Sequence, residues 1–295
     1  MPEGDTLFRI ATTLRKALLN RTITRFESQL PEIREIDSRM PVASRVIEAV
    51  EARGKHLLIV MRQPGAADDP VTHEPIARRE PINLDLLRTD LVLHTHLRMT
   101  GSWHLYRPGE KWQKPANYAK IVIHTEAFEA ICFSAPVVEL MTARETVRHP
   151  QLIKLGPDAI AEEFDPIEAR RRLRLFQDQP IGVAIMKQNA MSGVGNVYKS
   201  EVLFIRRINP FAPVRDLSDE ALDGLIEESR KLLVMNRGRG ERQTHFGLQS
   251  SEKLWAYGRS GEPCRVCGTR LKLRRQGLEG RTTYYCPQCQ GVPAF

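Results

Sequence analysis

The sequence predicts an α+β multidomain protein: a leading helix with a β-sandwich or barrel, then a helical domain, then a small hairpin built around cysteines. Three observations predict it. Short β-like runs crowd the first half, capped amphipathic helices begin near residue 150, and two Cys-x-x-Cys pairs lie close to the C-terminus. With 295 residues and 41% hydrophobic content, the chain can bury more than one core. The shifts in pattern place the boundaries at 1–150, 151–240 and 254–295.

In chain order, Leu7, Ile10, Ala11, Leu14, Ala17 and Leu18 recur at helical spacing, with Asp5 as N-cap and Asn20 near the stop. The runs HLLIVM (56–61), LVLHTHL (91–97), SWHLY (102–106), KIVIHT (120–125) and AICF (130–133) then read as strands, with Cys132 a buried small hydrophobe. Four prolines and mixed charge between Gln63 and Asp90 read as a long surface loop. Asp165-Pro166 opens a helix to about Phe176, Asn196 begins another through Phe204, and Ser218 caps a third carrying Leu222, Leu225, Ile226, Leu232 and Leu233. The segment NRGRGERQTH from 236 reads as a flexible basic linker.

Forty-four Lys and Arg against 36 Asp and Glu leave a net charge of +8, which favours polyanionic partners. No run of eighteen apolar residues and no signal-like start is present, so neither membrane insertion nor export is expected; a cytoplasmic, in a bacterium nucleoid-associated, monomer is.

Five stretches could carry chemistry. Cys264-x-x-Cys267, eighteen residues, then Cys286-x-x-Cys289 suits one structural Zn²⁺; four thiolates leave no open position for a catalytic water. Between Arg237 and Tyr285 eleven Lys and Arg face four Glu, with Tyr284 and Tyr285 interleaved, which fits phosphate contacts, although a zinc ribbon can equally bind protein. In MSGVGNVYKSE (191–201), two glycines ahead of Asn196 at a helix start offer backbone N–H groups and an amide to an anion; a tight helix connection is the plainer alternative. In HTHLRMTGSW (94–103), His94 and His96 share a strand face, but two histidines with no third ligand read as structural, and Met99 is either core or an exposed wedge that unstacks bases. Lys55, in ARGKHLLIV, reads by itself as a solvated lysine.

The opening MPEGD carries the fifth possibility. Pro2 and Glu3 could simply pre-organise the helix start. With Met1 removed, however, Pro2 would present a secondary amine able to attack an electrophilic sugar carbon, and Glu3 could move the protons.

MPEGD, ARGKHLL, LHTHLRMTGSW, QNAMSGVGNVYKSEVLF, YGRSGEPCRVCG and GRTTYYCPQC together resemble, in order and nearly end to end, the formamidopyrimidine-DNA glycosylase/endonuclease VIII family. The resemblance implies an N-terminal β-sandwich, a helix-two-turn-helix domain and a C-terminal zinc finger, acting on double-stranded DNA with damaged bases or abasic sites. It implies Pro2 as Schiff-base nucleophile, Glu3 as acid/base, and Lys55 as a lysine that engages the DNA and assists excision. It further implies Asn196 and Arg281 as a phosphate grip, and Met99, flanked by Arg98 and Thr100, as the void-filling residue. The MPEG opening, and FSAPVVEL in place of an Asp-Pro-Arg-Arg-Phe stretch, look like the endonuclease VIII branch, so oxidised pyrimidines are expected; 8-oxoguanine excision and non-catalytic DNA binding are the alternatives. Thr6 stands where many members carry a glutamate.

Overall fold

The computed structural model describes residues 2–64, 90–238, 240–246 and 253–292. Met1 and residues 65–89 lie outside them, and with them the expectations about Met1 removal and the long loop. The chain forms two compact units, residues 7–153 with Pro2, and residues 154–295 with Glu3–Thr6.

In the first unit, helix α1 (Gly4–Leu18) starts one residue earlier than the expected cap. Asp5 lies inside its first turn because the carboxylate is used elsewhere, as described below. Asn20, at φ +59°, turns the chain away after the last helical residues. The chain continues through β1 (Arg25–Ser28), α2 (Pro31–Arg39), β2 (Val46–Arg53), β3 (His56–Arg62), β4 (Leu91–His96), β5 (Ser102–Tyr106), β6 (Ala119–His124), β7 (Glu129–Phe133), β8 (Val137–Thr142) and α3 (Ala143–Val147). Two four-stranded antiparallel sheets result, ordered β1-β6-β7-β5 and β2-β3-β4-β8.

Leu7, Leu14 and Leu18 of α1 join Ile47, Leu57, Ile59 and Leu93 of one sheet and Ile121, Ile123 and Cys132 of the other in a single core. That is the expected sandwich, with Cys132 fully buried. β1, β2 and β8 were not anticipated, because Glu27, Glu48, Glu51 and Glu139 interrupt their apolar pattern.

The second unit holds α4 (Pro166–Arg174), α5 (Ile181–Ala184), α6 (Asn196–Ile205) and α7 (Asp219–Met235), then the antiparallel hairpin β9 (Lys272–Gln276) and β10 (Arg281–Tyr285). Asp165 and Ser218 cap α4 and α7 as expected, accepting from Glu168 N at 2.9 Å and Ala221 N at 3.2 Å. The apolar faces of α4, α6 and α7 close a second core around Leu173, Tyr198, Val202, Leu225 and Leu233. The segment after α7 is not the free linker its composition suggested. Asn236 is buried and donates to Leu232 O and Gln243 O at 2.8 and 2.9 Å, and Arg242 and Thr244 are anchored further on. Among the described residues, no helix is long and apolar enough to cross a membrane.

Candidate active site

The Gly-x-Gly-Asn turn is built around residue 3. Gly195 is the N-cap of α6 and has no side chain to satisfy the helix's first N–H groups. The Glu3 carboxylate does so instead, accepting from Gly195 N at 2.9 Å, Val197 N at 2.8 Å and Tyr198 N at 3.3 Å. The anion attracted to this helix start is therefore the protein's own. Two glycines are needed for different reasons. Gly193 takes φ +101°, whereas a Cβ on Gly195 would lie 2.4 Å from Glu3 Cδ. A carboxylate has roughly four lone-pair directions, so three backbone donors leave Glu3 able to take one more proton.

Arg242 closes the other side of this site. Its guanidinium grips Asp5 bidentately, at 3.0 and 2.6 Å, stands 3.8 Å from Glu3 Oε1 and lies 4.8 Å above the Tyr198 ring. Burial works against its charge, but Glu3 and Asp5 outweigh that and raise its pKa. Glu3 and Asp5 are fully buried, so removing the cation would strand two carboxylates, at a cost of about 3–5 kcal/mol for such a broken buried pair. Thr6 is within 3.3 Å of the same guanidinium.

Asn196, the first residue of α6, meets the hairpin. Asn196 Nδ2 donates to Thr282 Oγ1 at 3.0 Å, while its Oδ1 accepts from Lys199 Nζ at 2.7 Å. Lys199 spends its other donors on Thr282 O and Thr283 Oγ1, each at 2.8 Å. The lysine is thus the buried pin between helix and hairpin. Glu201, two residues on, accepts from the backbone N–H groups of Trp255, Ala256 and Tyr257 and anchors the stretch leading into the cysteine module. Arg281 opens β10, part-exposed and held by Glu279 at 2.8 Å.

Burial lowers Lys199 from its ordinary 10.5 to about 7, with Glu3 opposing and Arg281 assisting. Unfolded, the lysine keeps its proton to higher pH, so from about pH 7 upward the unfolded chain binds more protons and folding gains stability. That gain is lost as pH falls through 7. The stability of the wild type relative to Lys199→Met is therefore expected to climb by at most about 1.4 kcal/mol per pH unit above 7. Urea denaturation across that range checks it, and a pH-independent difference would contradict the assignment.

The remaining candidates lie in the first unit. Pro2 is half-buried ahead of α1, and Lys55 is half-buried in the β2–β3 turn after Gly54, whose φ is +58°. Arg98 and Met99 follow β4 on an exposed turn; Met99 is 70% exposed, which removes the core reading. Arg98 adopts φ +45° and donates its N–H to His96 Nδ1 at 3.2 Å. The sequence reading missed Asp5 as a partner, Arg242, Lys199 and Glu201. Two of these lay inside the quoted MSGVGNVYKSE motif, but Arg242 had no local signal at all.

The four cysteines converge. Cys264 and Cys289 Sγ are 3.8 Å apart, Cys267 and Cys286 Sγ 3.5 Å, and all four lie within 4.8 Å of one another. Zinc held tetrahedrally by sulfur at about 2.3 Å requires edges of about 3.8 Å, so the thiols fit. Val266 N and Cys289 N each point at a cysteine sulfur, at 3.4 Å, as turn-borne thiolate pairs require.

Comparison with known proteins places these features in one lineage. Residues 1–136 match the family profile described as formamidopyrimidine-DNA glycosylase N-terminal domain, 155–244 its H2TH domain, and 261–292 the zinc finger found in FPG and IleRS. The cysteine cluster is accordingly a site for one structural zinc. The chain is 34% identical to probable endonuclease 8 2 of Streptomyces coelicolor, covering all of this chain and 95% of that one. It is 33% identical to DNA-(apurinic or apyrimidinic site) lyase Nei2 of Mycolicibacterium smegmatis, over 98% and 99%. The solved complex of Lactococcus lactis Fpg (MutM) with N7-benzyl-Fapy-dG DNA shares the fold, with a TM-score of 0.76 at 22% identity over 98% and 99% of the two chains. A β-sandwich, an H2TH region closed by Glu3 and a four-cysteine finger, matched along the whole chain, make this protein a member of the formamidopyrimidine-DNA glycosylase/endonuclease VIII family.

Proposed function

We propose that the protein is a bifunctional DNA glycosylase/AP lyase that removes oxidised bases, pyrimidines in particular, from double-stranded DNA. The observation that carries the reading is the seating of Glu3. A helix start that any Ser or Asp could cap locally is closed by the third residue of the chain, which fixes the position of the residue after the candidate nucleophile. A DNA-binding module without chemistry has no use for that arrangement. The relatives named endonuclease 8 and AP lyase support the enzyme class.

In this reading the Pro2 nitrogen attacks C1′, the glycosidic bond breaks, and the base leaves with a proton relayed by Glu3. The C1′–O4′ bond then opens, with a proton delivered to O4′, to give an iminium that makes the C2′ hydrogen acidic; removal of that hydrogen expels the 3′ phosphate, and a second elimination expels the 5′ phosphate. Lys55 engages the DNA near the extruded nucleotide, Met99 with Arg98 fills the gap left in the stack, and Asn196 and Arg281 hold phosphates. The phosphate would draw Asn196 Nδ2 away from Thr282, while Lys199 keeps the amide oxygen fixed. The proposed division at 1–150, 151–240 and 254–295 is supported by profile matches over 1–136, 155–244 and 261–292.

Borohydride reduction during incubation with a thymine glycol duplex is expected to yield a covalent protein–DNA adduct, with cleavage faster than on an 8-oxoguanine duplex. Equal or faster cleavage at 8-oxoguanine would reverse the base assignment, and no adduct with either duplex would sink the mechanism.

A further inference from the structure

We propose that the β-sandwich unit carries a second divalent transition-metal site, formed by His94, Glu139 and His149 and distinct from the cysteine cluster. The histidine pair His94 and His96 read as structural in the sequence because no third ligand was in view. The fold supplies one from a different pairing.

β4 and β8 are neighbours, and their register sets His94 directly opposite Glu139. α3 follows β8 at once, and the turn after it, closed by His149 N to Thr146 O at 3.1 Å, returns His149 to the same carboxylate. His94 Nδ1 lies 2.7 Å and His149 Nε2 3.1 Å from Glu139 Oε2. The three donor groups lie within 4.8 Å of one another. Tetrahedral zinc with nitrogen and oxygen ligands at about 2.0–2.1 Å needs donors about 3.3 Å apart, so a small spreading of the trio, led by the part-exposed Glu139, would admit the ion. Two imidazoles and one carboxylate are a ligand set that keeps further positions open.

Two further features fit a metal-ligand set. His94 Nε2 is 2.8 Å from His56 Nδ1, an orienting partner of the kind that fixes a ligating imidazole. A surface cleft of about 450 Å³, lined in part by Glu139, Glu145, Arg144, Arg148 and His149, reaches two of the three ligands and leaves space there for water or an anion.

The test uses the full-length protein with its cysteine site filled by zinc. Titration with cobalt(II) is expected to give a further equivalent with visible ligand-field bands and no thiolate charge-transfer band, and equilibrium dialysis against zinc to give about two ions per chain. Glu139→Gln and His149→Gln should each abolish the added bands while the cysteine-bound ion stays. His56→Gln should weaken the added site about 10–100-fold. Glu139→Gln alters a part-exposed side chain, so circular dichroism should report an intact fold. Saturation at one zinc per chain in the wild type, or added bands that persist in both ligand variants, overturns the proposal. None of these readings involves DNA, so the outcome is independent of the proposed glycosylase chemistry.

Discussion

A chain carrying a short N-terminal extension is expected to form no borohydride-trapped adduct with abasic-site DNA, and proteolytic release of the extension, leaving Pro2 first, to restore trapping. The argument is covalent chemistry. A prolyl nitrogen inside a peptide bond has no basic lone pair and cannot become an iminium, whereas a free N-terminal proline is a secondary amine less basic than lysine, partly unprotonated near neutral pH. Lysines elsewhere, Lys55 and the buried Lys199 included, are unchanged by the extension and act as internal controls. Intact mass before and after proteolysis reports which terminus each sample carries. Trapping by the extended chain at the rate of the released one would remove Pro2 from the mechanism and point to a lysine.

How far the sequence could be read depended on whether a residue's partners lay nearby in the chain. The caps at Asp165 and Ser218, the strands at 56–61 and 102–106 and the spacing of the cysteines follow from interactions spanning a few residues, and these appear where they were expected. β2 and β8 did not announce themselves, since each owes its place to a neighbour across a sheet and carries glutamates that local patterning counts against a strand.

The site divides in the same way. MSGVGNVYKSE was legible as a helix start suited to an anion, but nothing local could reveal that the anion would be Glu3, 192 residues away from Gly195. Arg242 shows the limit most plainly: in NRGRGERQTH it looked like a linker charge, yet it is the buried cation between Asp5 and Glu3. His149 and Glu139 were silent for the same reason, and His94 was discounted because its ligand-like partners come from another strand and the turn after α3. Buried polar residues need partners, and partner identity is a property of topology.

Gly195→Ala is expected to destabilise the second unit and to disturb the site at once. Its Cβ would fall 2.4 Å from Glu3 Cδ and 2.7 Å from Oε1, so the carboxylate must leave the α6 N–H groups or the helix must shift. Overpacking of this kind costs about 1–3 kcal/mol, and the three displaced hydrogen bonds to a charged group add to it. Glu3→Gln approaches the same contact from the other partner: the shape survives, but an amide N–H now faces a backbone N–H and the negative charge at the helix start is gone. Denaturation midpoints should therefore fall in both variants.

Activity separates two roles of Glu3. If Glu3 only capped α6, Glu3→Gln assayed below its unfolding transition would cleave nearly as well as wild type, and its defect would track the fraction unfolded. As a proton carrier its loss should lower base excision about 10²–10⁴-fold in fully folded protein, while strand cleavage at a preformed abasic site, which needs no departing base, falls less. Glu3→Asp keeps the charge but withdraws it by one methylene from Gly195 and Val197, so it should recover little stability and little excision. A folded Glu3→Gln with wild-type excision would leave Glu3 as a cap alone and return the acid/base role to another group of the family's site.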